Sequence, residues 1–249
     1  MDNVVTGRKP VLELVTREPG NIEQVILRQG LKGQDIKELV ESCKAAGVRF
    51  RFLPDEALDR SVPGCRQGVA AFVAARAFVT LEELLEGVRR APLTVVLALD
   101  QVQDPGNVGS LARTVLALGG AGLIVPKHHG SRLGGAASKA SAGALERLPV
   151  RLCVNLSREL EECAEAGFAV YKAEAGPEGQ DVFGAEFDFP LVLVLGGEDK
   201  GVRPGVAKRC DRSLFIPMPG GFESLNVAQA GAVVLGQMAG QAFRAGRKG

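Results

Sequence analysis

Apolar and polar positions follow two periods along this chain. Over residues 34–46, Ile36, Leu39, Val40 and Cys43 recur at three- and four-residue spacing, the stripe of an amphipathic helix. The same period predicts helices over 7–17 and 55–60, while short apolar runs predict strands over 22–28, 48–53 and 68–74. That is a small α/β unit, assigned to residues 1–78. A charged helical segment at 80–90, closed by Ala91-Pro92, predicts a linker helix within 79–92. From Leu93 the strands become smoother and more apolar, at 93–99, 122–125, 150–154, 168–173, 191–195 and 213–216. Helical patterns at 108–118, 136–148 and 158–166 lie between them. Continuous apolar strands alternating with helices imply a parallel sheet covered on both faces, here residues 93–249. A last helix, 227–243, carries Ala228, Ala230, Gly231, Ala232, Gly236, Ala239 and Gly240, a surface that suits close packing on its own sheet or on a second subunit.

Composition narrows the chemistry. Thirty Lys and Arg against 29 Asp and Glu leave a net charge of +1, so any contact with a polyanion must be local. Five cysteines without a CxxC pair, and two histidines that are neighbours (His128, His129), support neither a disulfide framework nor a metal site. A reducing cytoplasm is the expected location, and no apolar run is long enough to suggest a membrane span. The 32 glycines matter through their position, because they gather in loops after strands.

Three such loops follow 93–99, 191–195 and 213–216, and in an open parallel sheet ligands sit beyond the carboxyl ends of strands. The first runs Asp100-Gln101-Val102-Gln103-Asp104-Pro105-Gly106-Asn107-Val108-Gly109 into a helix carrying Arg113. The second begins Gly196-Gly197-Glu198 and ends at Gly201. The third runs Pro217-Met218-Pro219-Gly220-Gly221-Phe222-Glu223-Ser224-Leu225-Asn226. Each has an ordinary explanation: a proline turn with Asn107 as cap, Glu198 as a solvated turn residue, Asn226 with Gln229 as a capping box. Their coincidence at one sheet edge favours a site. No GxGxxG or GxxxxGK[ST] element is present, which disfavours a dinucleotide-dependent oxidoreductase. A nucleoside-like ligand would be read by loop backbone and by apolar lining such as Leu195, Ile216, Met218 and Leu225.

The three loops resemble the signature motifs of the SpoU (TrmH-type) group of SPOUT RNA methyltransferases. The matches are Asp104-Pro105-x-Asn107-x-Gly109-x-x-x-Arg113-Thr114, then Leu195-Gly-Gly-Glu198-x-x-Gly201, then Ile216-Pro217-Met218-x-Gly220-x-x-x-Ser224-Leu225-Asn226-Val227. The opening Gly7-Arg8-Lys9-Pro10-Val11-Leu12-Glu13 is similar to the start of the group's small RNA-binding domain. Arg66-Gln67-Gly68 stands where relatives commonly carry His-Gln-Gly. The resemblance implies an α/β fold whose C-terminal parallel-sheet domain contains a deep trefoil knot, a homodimer, S-adenosylmethionine as methyl donor, and transfer to a ribose 2′-hydroxyl. It further implies that Leu195, Gly196, Gly197, Gly201, Ile216, Met218, Gly220, Ser224 and Leu225 bind the donor, and that Asn107, Arg113, Glu198, Ser224 and Asn226 surround the transfer. Glu198 would hold either the Arg113 guanidinium or a ribose hydroxyl. Since a guanidinium is not deprotonated in proteins, Arg113 is expected to stabilise a developing alkoxide and orient a phosphate, with the general base left open.

Within the group, the residues 137–146 and the N-terminal domain favour the branch that methylates a guanosine of large-subunit (23S) ribosomal RNA. A transfer-RNA methyltransferase or a non-catalytic RNA-binding assembly factor are the alternatives. Residues 127–151 hold Lys127, Arg132, Lys139, Arg147 and Arg151 against Glu146 alone. Arg8, Lys9, Lys127, His128, Arg132 and Lys139 are therefore the expected RNA contacts, ordering on phosphate.

Overall fold

Residues 4–17, 19, 22–73, 78–128, 133–176, 179–198 and 201–246 are described by the computed structural model of the chain. They fall into two units, Met1–Arg76 and Ala77–Gly249. His129 and Arg132 lie outside the described residues.

The first unit runs β1 (Val4–Thr6), α1 (Arg8–Arg17), β2 (Ile22–Arg28), α2 (Gln34–Ala45), β3 (Phe50–Leu53), α3 (Asp55–Ser61) and β4 (Val69–Val73). Its sheet has the order β1-β4-β2-β3, with β2 and β3 parallel and the other pairs antiparallel. The predicted stripe of α2 is its inner face: Ile36, Leu39 and Cys43 are buried with Val25, Leu27 and Val69. Strand β1, which the apolar pattern did not predict, is three residues long and pairs only with β4.

The second unit runs α4 (Leu81–Val88), β5 (Leu93–Asp100), α5 (Pro105–Ala117), β6 (Gly120–Pro126), α6 (Gly135–Ser141), α7 (Ala144–Arg147), β7 (Val150–Cys153), α8 (Leu156–Glu165), β8 (Ala169–Glu174), β9 (Gln180–Asp181), β10 (Leu191–Gly196), α9 (Pro204–Ala207), β11 (Arg212–Phe215) and α10 (Val227–Gly246). Seven strands form one sheet in the order β7-β6-β5-β10-β8-β11-β9, and every paired neighbour is parallel. The period-two rule sorts its faces. Leu93, Val95, Leu97, Leu99, Leu191, Leu193 and Leu195 enter one apolar layer with α5 and α10, while Val96, Ala98, Val192 and Val194 enter the other with α4 and α8. Helix α4, read from the sequence as part of a linker, belongs to this second layer: its Leu84 and Val88 are buried there, and Thr80 and Glu83 close a capping box.

The helix predicted over 136–148 is two helices. Ala142 (φ 49°) and Gly143 (φ 84°) turn left-handed between them, and Ser141 Oγ accepts from Leu145 N at the joint. Gly109 on α5 explains why α6 lies so close: a Cβ there would stand 2.5 Å from Ala137 O and 2.6 Å from Ala140 Cβ. This motif glycine is required by helix contact.

Four of the cysteines are buried and all are free. Burial pushes the thiols of Cys153, Cys163 and Cys210 up to about 12 and that of Cys43 up to about 11, from an ordinary 9.0. Folded thiols thus keep protons that unfolded thiols release above pH 9.0, so stability is intact below that pH and is lost as pH rises towards 12. Urea midpoints measured from about pH 8 to 11 are expected to fall, and less steeply for Cys163→Ala than for the parent chain.

Candidate active site

The polar cluster is built from the carboxyl ends of β5, β10 and β11. Asp104 is the N-cap of α5: its carboxylate accepts from Asn107 N at 2.8 Å, and Pro105 occupies the first turn. Capping thus falls to Asp104 and not to Asn107, whose amide is free to face the other loops. Asn107 Nδ2 donates to Glu198 Oε1. Asn226 Nδ2 donates to the same Glu198 Oε1 and to Asn107 Oδ1, both at 3.1 Å. Asn226 does also cap: its Oδ1 accepts from Ala228 N at 2.8 Å, and its carbonyl accepts from Ala230 N. Asn226 can cap and join the cluster at once, because opposite ends of one amide make the two sets of bonds. Three residues separated by up to 119 positions therefore share one hydrogen-bonded cluster at the surface. Both amides reach Oε1, and Oε2 has no hydrogen-bond partner among the described residues.

The Glu198 loop is fixed from below. Asp100, the last residue of β5, has no exposed surface. Its Oδ2 accepts from Arg203 N at 2.8 Å, its Oδ1 accepts from Arg203 Nε at 2.8 Å and Nη2 at 2.7 Å, and its carbonyl accepts from Gly197 N at 2.9 Å. Both ends of the 197–203 loop are thus tied to one residue. The glycines permit this fold. A Cβ at Gly197 would stand 2.5 Å from Gln101 O, one at Gly196 would collide with the Gly201–Val202 peptide, and Gly201 has φ +61°. Sequence reasoning missed the Asp100–Arg203 pair. Its signal was an acidic residue on the same strand face as Val96 and Ala98, where a charge must be paired.

The remaining expected residues divide. Arg113 is exposed on α5 and has no hydrogen bond or ion pair among the described residues; of the two roles suggested for Glu198, holding Arg113 is not the one formed. Six residues beyond Asn107, Arg113 points about 120° away around the helix. Ser224, Gly220 and Leu225 are exposed in the third loop, Ile216 and Met218 are half-buried at its root, and Leu195 is in the core beneath α10, only 2% exposed. Lys127 and His128 are exposed just after β6, the neighbour of β5, and Lys139 is exposed on α6. In the first unit Lys9 is exposed, while the Arg8 guanidinium is occupied by Asp35 at 2.9 Å and holds that carboxyl below its usual range.

A seven-stranded parallel sheet thus brings an Asn, a Glu and an Asn from three loops together beside glycine-rich backbone. Residues 94–236 match the SpoU rRNA Methylase family, and residues 4–79 match the RNA 2′-O ribose methyltransferase substrate-binding family. The chain belongs to the SpoU family of RNA methyltransferases. It is 34% identical over 236 residues, 94% of each chain, to a protein of Staphylococcus aureus assigned to the TrmH family of tRNA/rRNA methyltransferases. Among solved structures, a TrmH-family protein of Porphyromonas gingivalis aligns with TM-score 0.64 and 26% identity, over 94% of this chain and 88% of that one. The SpoU methyltransferase AviRb of Streptomyces viridochromogenes, crystallised with AdoMet, shares the fold with TM-score 0.63 and 24% identity, over 97% of this chain and 90% of that one. No helix among the described residues is long and apolar enough to cross a membrane.

Proposed function

We propose that the chain methylates a ribose 2′-hydroxyl using S-adenosylmethionine, with a guanosine of large-subunit ribosomal RNA as its target. The observation that carries this reading is the Asn107–Glu198–Asn226 cluster, which leaves Glu198 Oε2 open beside the loops that would hold a donor. The loops fit such a ligand. A Cβ at Gly201 or Gly220 would meet nothing within 4 Å, so open space borders both, and Ile216 and Met218 offer half-buried apolar surface at the same loop's root. Gly196, Gly197, Gly201, Ile216, Met218 and Leu225 would hold the donor, whose sulfonium supplies an already activated methyl group. The chain's own task is alignment and treatment of the acceptor. The two amides fix Glu198 through Oε1, so Oε2 accepts a hydrogen bond from the 2′-hydroxyl and orients its lone pair. In this reading Arg113, exposed and without a partner among the described residues although turned about 120° from Asn107 around α5, stabilises the alkoxide as it forms or the adjoining phosphate, with Ser224 positioning the donor or ribose. Lys9, Lys127, His128 and Lys139 are the phosphate contacts of this reading, and Arg8 contributes only by leaving Asp35.

The same reading includes the trefoil path of the C-terminal chain, a cytoplasmic location and a homodimer. The outer side of α10, with Ala232, Gly236 and Phe243 exposed, is its candidate contact, and sedimentation should give twice the chain mass of 26.1 kDa. To test the function, the protein is incubated with methyl-labelled donor and either large-subunit ribosomal RNA or transfer RNA, and the product is digested to nucleosides. Label in 2′-O-methylguanosine from ribosomal RNA is expected. Label confined to transfer RNA would overturn the target, and absence of transfer with donor bound would favour a non-catalytic RNA-binding factor.

A further inference from the structure

The first unit has a groove of about 620 Å3 between α2 and β3. Its floor is apolar, from Leu31, Val40 and Phe52, and its rim carries Lys32, Lys37 and Lys44. Phe52 is the decisive residue. Phe50 and Phe52 share one face of β3; Phe50 is packed into the core against α2, whereas Phe52 extends past it with 41% of its surface exposed. The Phe50 ring supports it edge-on, with centroids 6.2 Å apart and planes at 87°. A flat apolar ring is thus held at the groove partly exposed. None of the three lysines has an ion-pair partner among the described residues, although Glu41 lies between Lys37 and Lys44 on α2. Of the nearby acids, Asp35 is taken by Arg8 and Asp55 by Arg28, so only Glu41 offsets the three lysines and a surplus of positive charge remains. The groove is therefore locally cationic in a chain of near-zero net charge.

A partly exposed ring flanked by ammonium groups is complementary to an unpaired nucleotide, whose base stacks while its neighbouring phosphates meet the lysines. We propose that the α2–β3 groove seats an unpaired nucleotide of the RNA substrate. The proposal rests on the chain acting on RNA and adds the place and form of recognition. A single ring is enough for one base, consistent with a protein that has no Trp and one Tyr. The apolar floor argues against a plain phosphate patch, and the lysines argue against an apolar peptide.

The test uses the full chain, a labelled 12-residue uridine oligonucleotide, a duplex RNA of equal length, and S-adenosylmethionine titrated separately. Phe52→Ala is expected to weaken single-strand binding about tenfold and duplex binding less than about twofold. Lys37→Glu with Lys44→Glu is expected to weaken both RNAs and lower the single-strand salt slope by about 1.4, roughly 0.7 per phosphate contact. Donor affinity should be unchanged in each; melting temperature should be unchanged in the lysine variant, whose side chains are exposed, and should fall slightly in Phe52→Ala, which loses its contact with the Phe50 ring. Unchanged single-strand affinity in Phe52→Ala would overturn the proposal, as would loss in the lysine variant alone, which leaves only a phosphate patch. A parent chain that binds RNA through this groove but never binds donor would sink the methyltransferase reading and leave the groove standing.

Discussion

Replacing Glu198 by Gln is expected to slow methyl transfer by about 10²- to 10³-fold, the usual cost of removing one preorganised polar group at a reacting centre. The substitution separates two things that the carboxylate does. A Gln carbonyl can still accept from Asn107 Nδ2 and Asn226 Nδ2, so the three-loop cluster survives. What is lost is the charge and the second acceptor, Oε2, whose place is taken by an amide NH2 that donates and cannot accept a hydrogen bond from the hydroxyl. The loss should therefore fall on the rate at saturating donor and RNA, with donor affinity changed less than about threefold. Melting temperature should stay near that of the parent chain, since Glu198 is exposed and lies outside both apolar layers. Single-turnover rates with calorimetric donor titration check both parts. Arg113→Lys serves as a companion: it keeps a positive charge but loses the planar fork, and a near-normal rate would remove any special guanidinium role.

The second large effect is expected beneath the site. Asp100→Asn keeps the shape of the side chain but removes the charge that faces Arg203 at 2.7 and 2.8 Å. Breaking a buried pair by changing one partner typically costs about 3–5 kcal/mol. Here Arg203 is 39% exposed and can regain water, so roughly 2 kcal/mol is the better expectation. In a chain of this size that corresponds to a fall in melting temperature of about 4–8 °C. The functional consequence is distinct. Asp100 ties both ends of the Glu198 loop, so donor affinity should fall about tenfold while the rate at saturating donor falls less. Melting curves and donor titration on the same preparation give both numbers, and a variant that melts early yet binds donor normally would reduce Asp100 to a structural residue.

The fold was legible wherever burial decides residue type. Strands β5 and β10 are continuous apolar runs because both faces are covered, and α2 has a clear stripe because one face is covered. Short edge elements escaped: β1 and β9 have three and two residues, too few for a period. The break between α6 and α7 hid for a different reason, since Ala142 adopts a left-handed φ that its residue type does not announce. At the site, the coincidence of three polar glycine-rich loops was visible, but the partners were not. Asn107 as cap, Asn226 as cap and Glu198 as holder of Arg113 were all sound local expectations. The Asn107–Asn226 hydrogen bond spans 119 residues, and no local rule carries over that distance. Arg203 was invisible because its importance comes from Asp100, 103 residues earlier. The family was legible in the three motifs and is borne out by the matches over residues 4–79 and 94–236, whereas no motif announces the amide geometry around Glu198.

A multiple-mutant cycle across Asn107→Ala, Glu198→Gln and Asn226→Ala, read by single-turnover methyl transfer, tests most directly whether the three loops act as one site. If they do, the triple variant is barely slower than the worst single variant, because each change already disables the shared cluster. Losses that multiply independently would mean that the three side chains act apart, and the single-site account would fail.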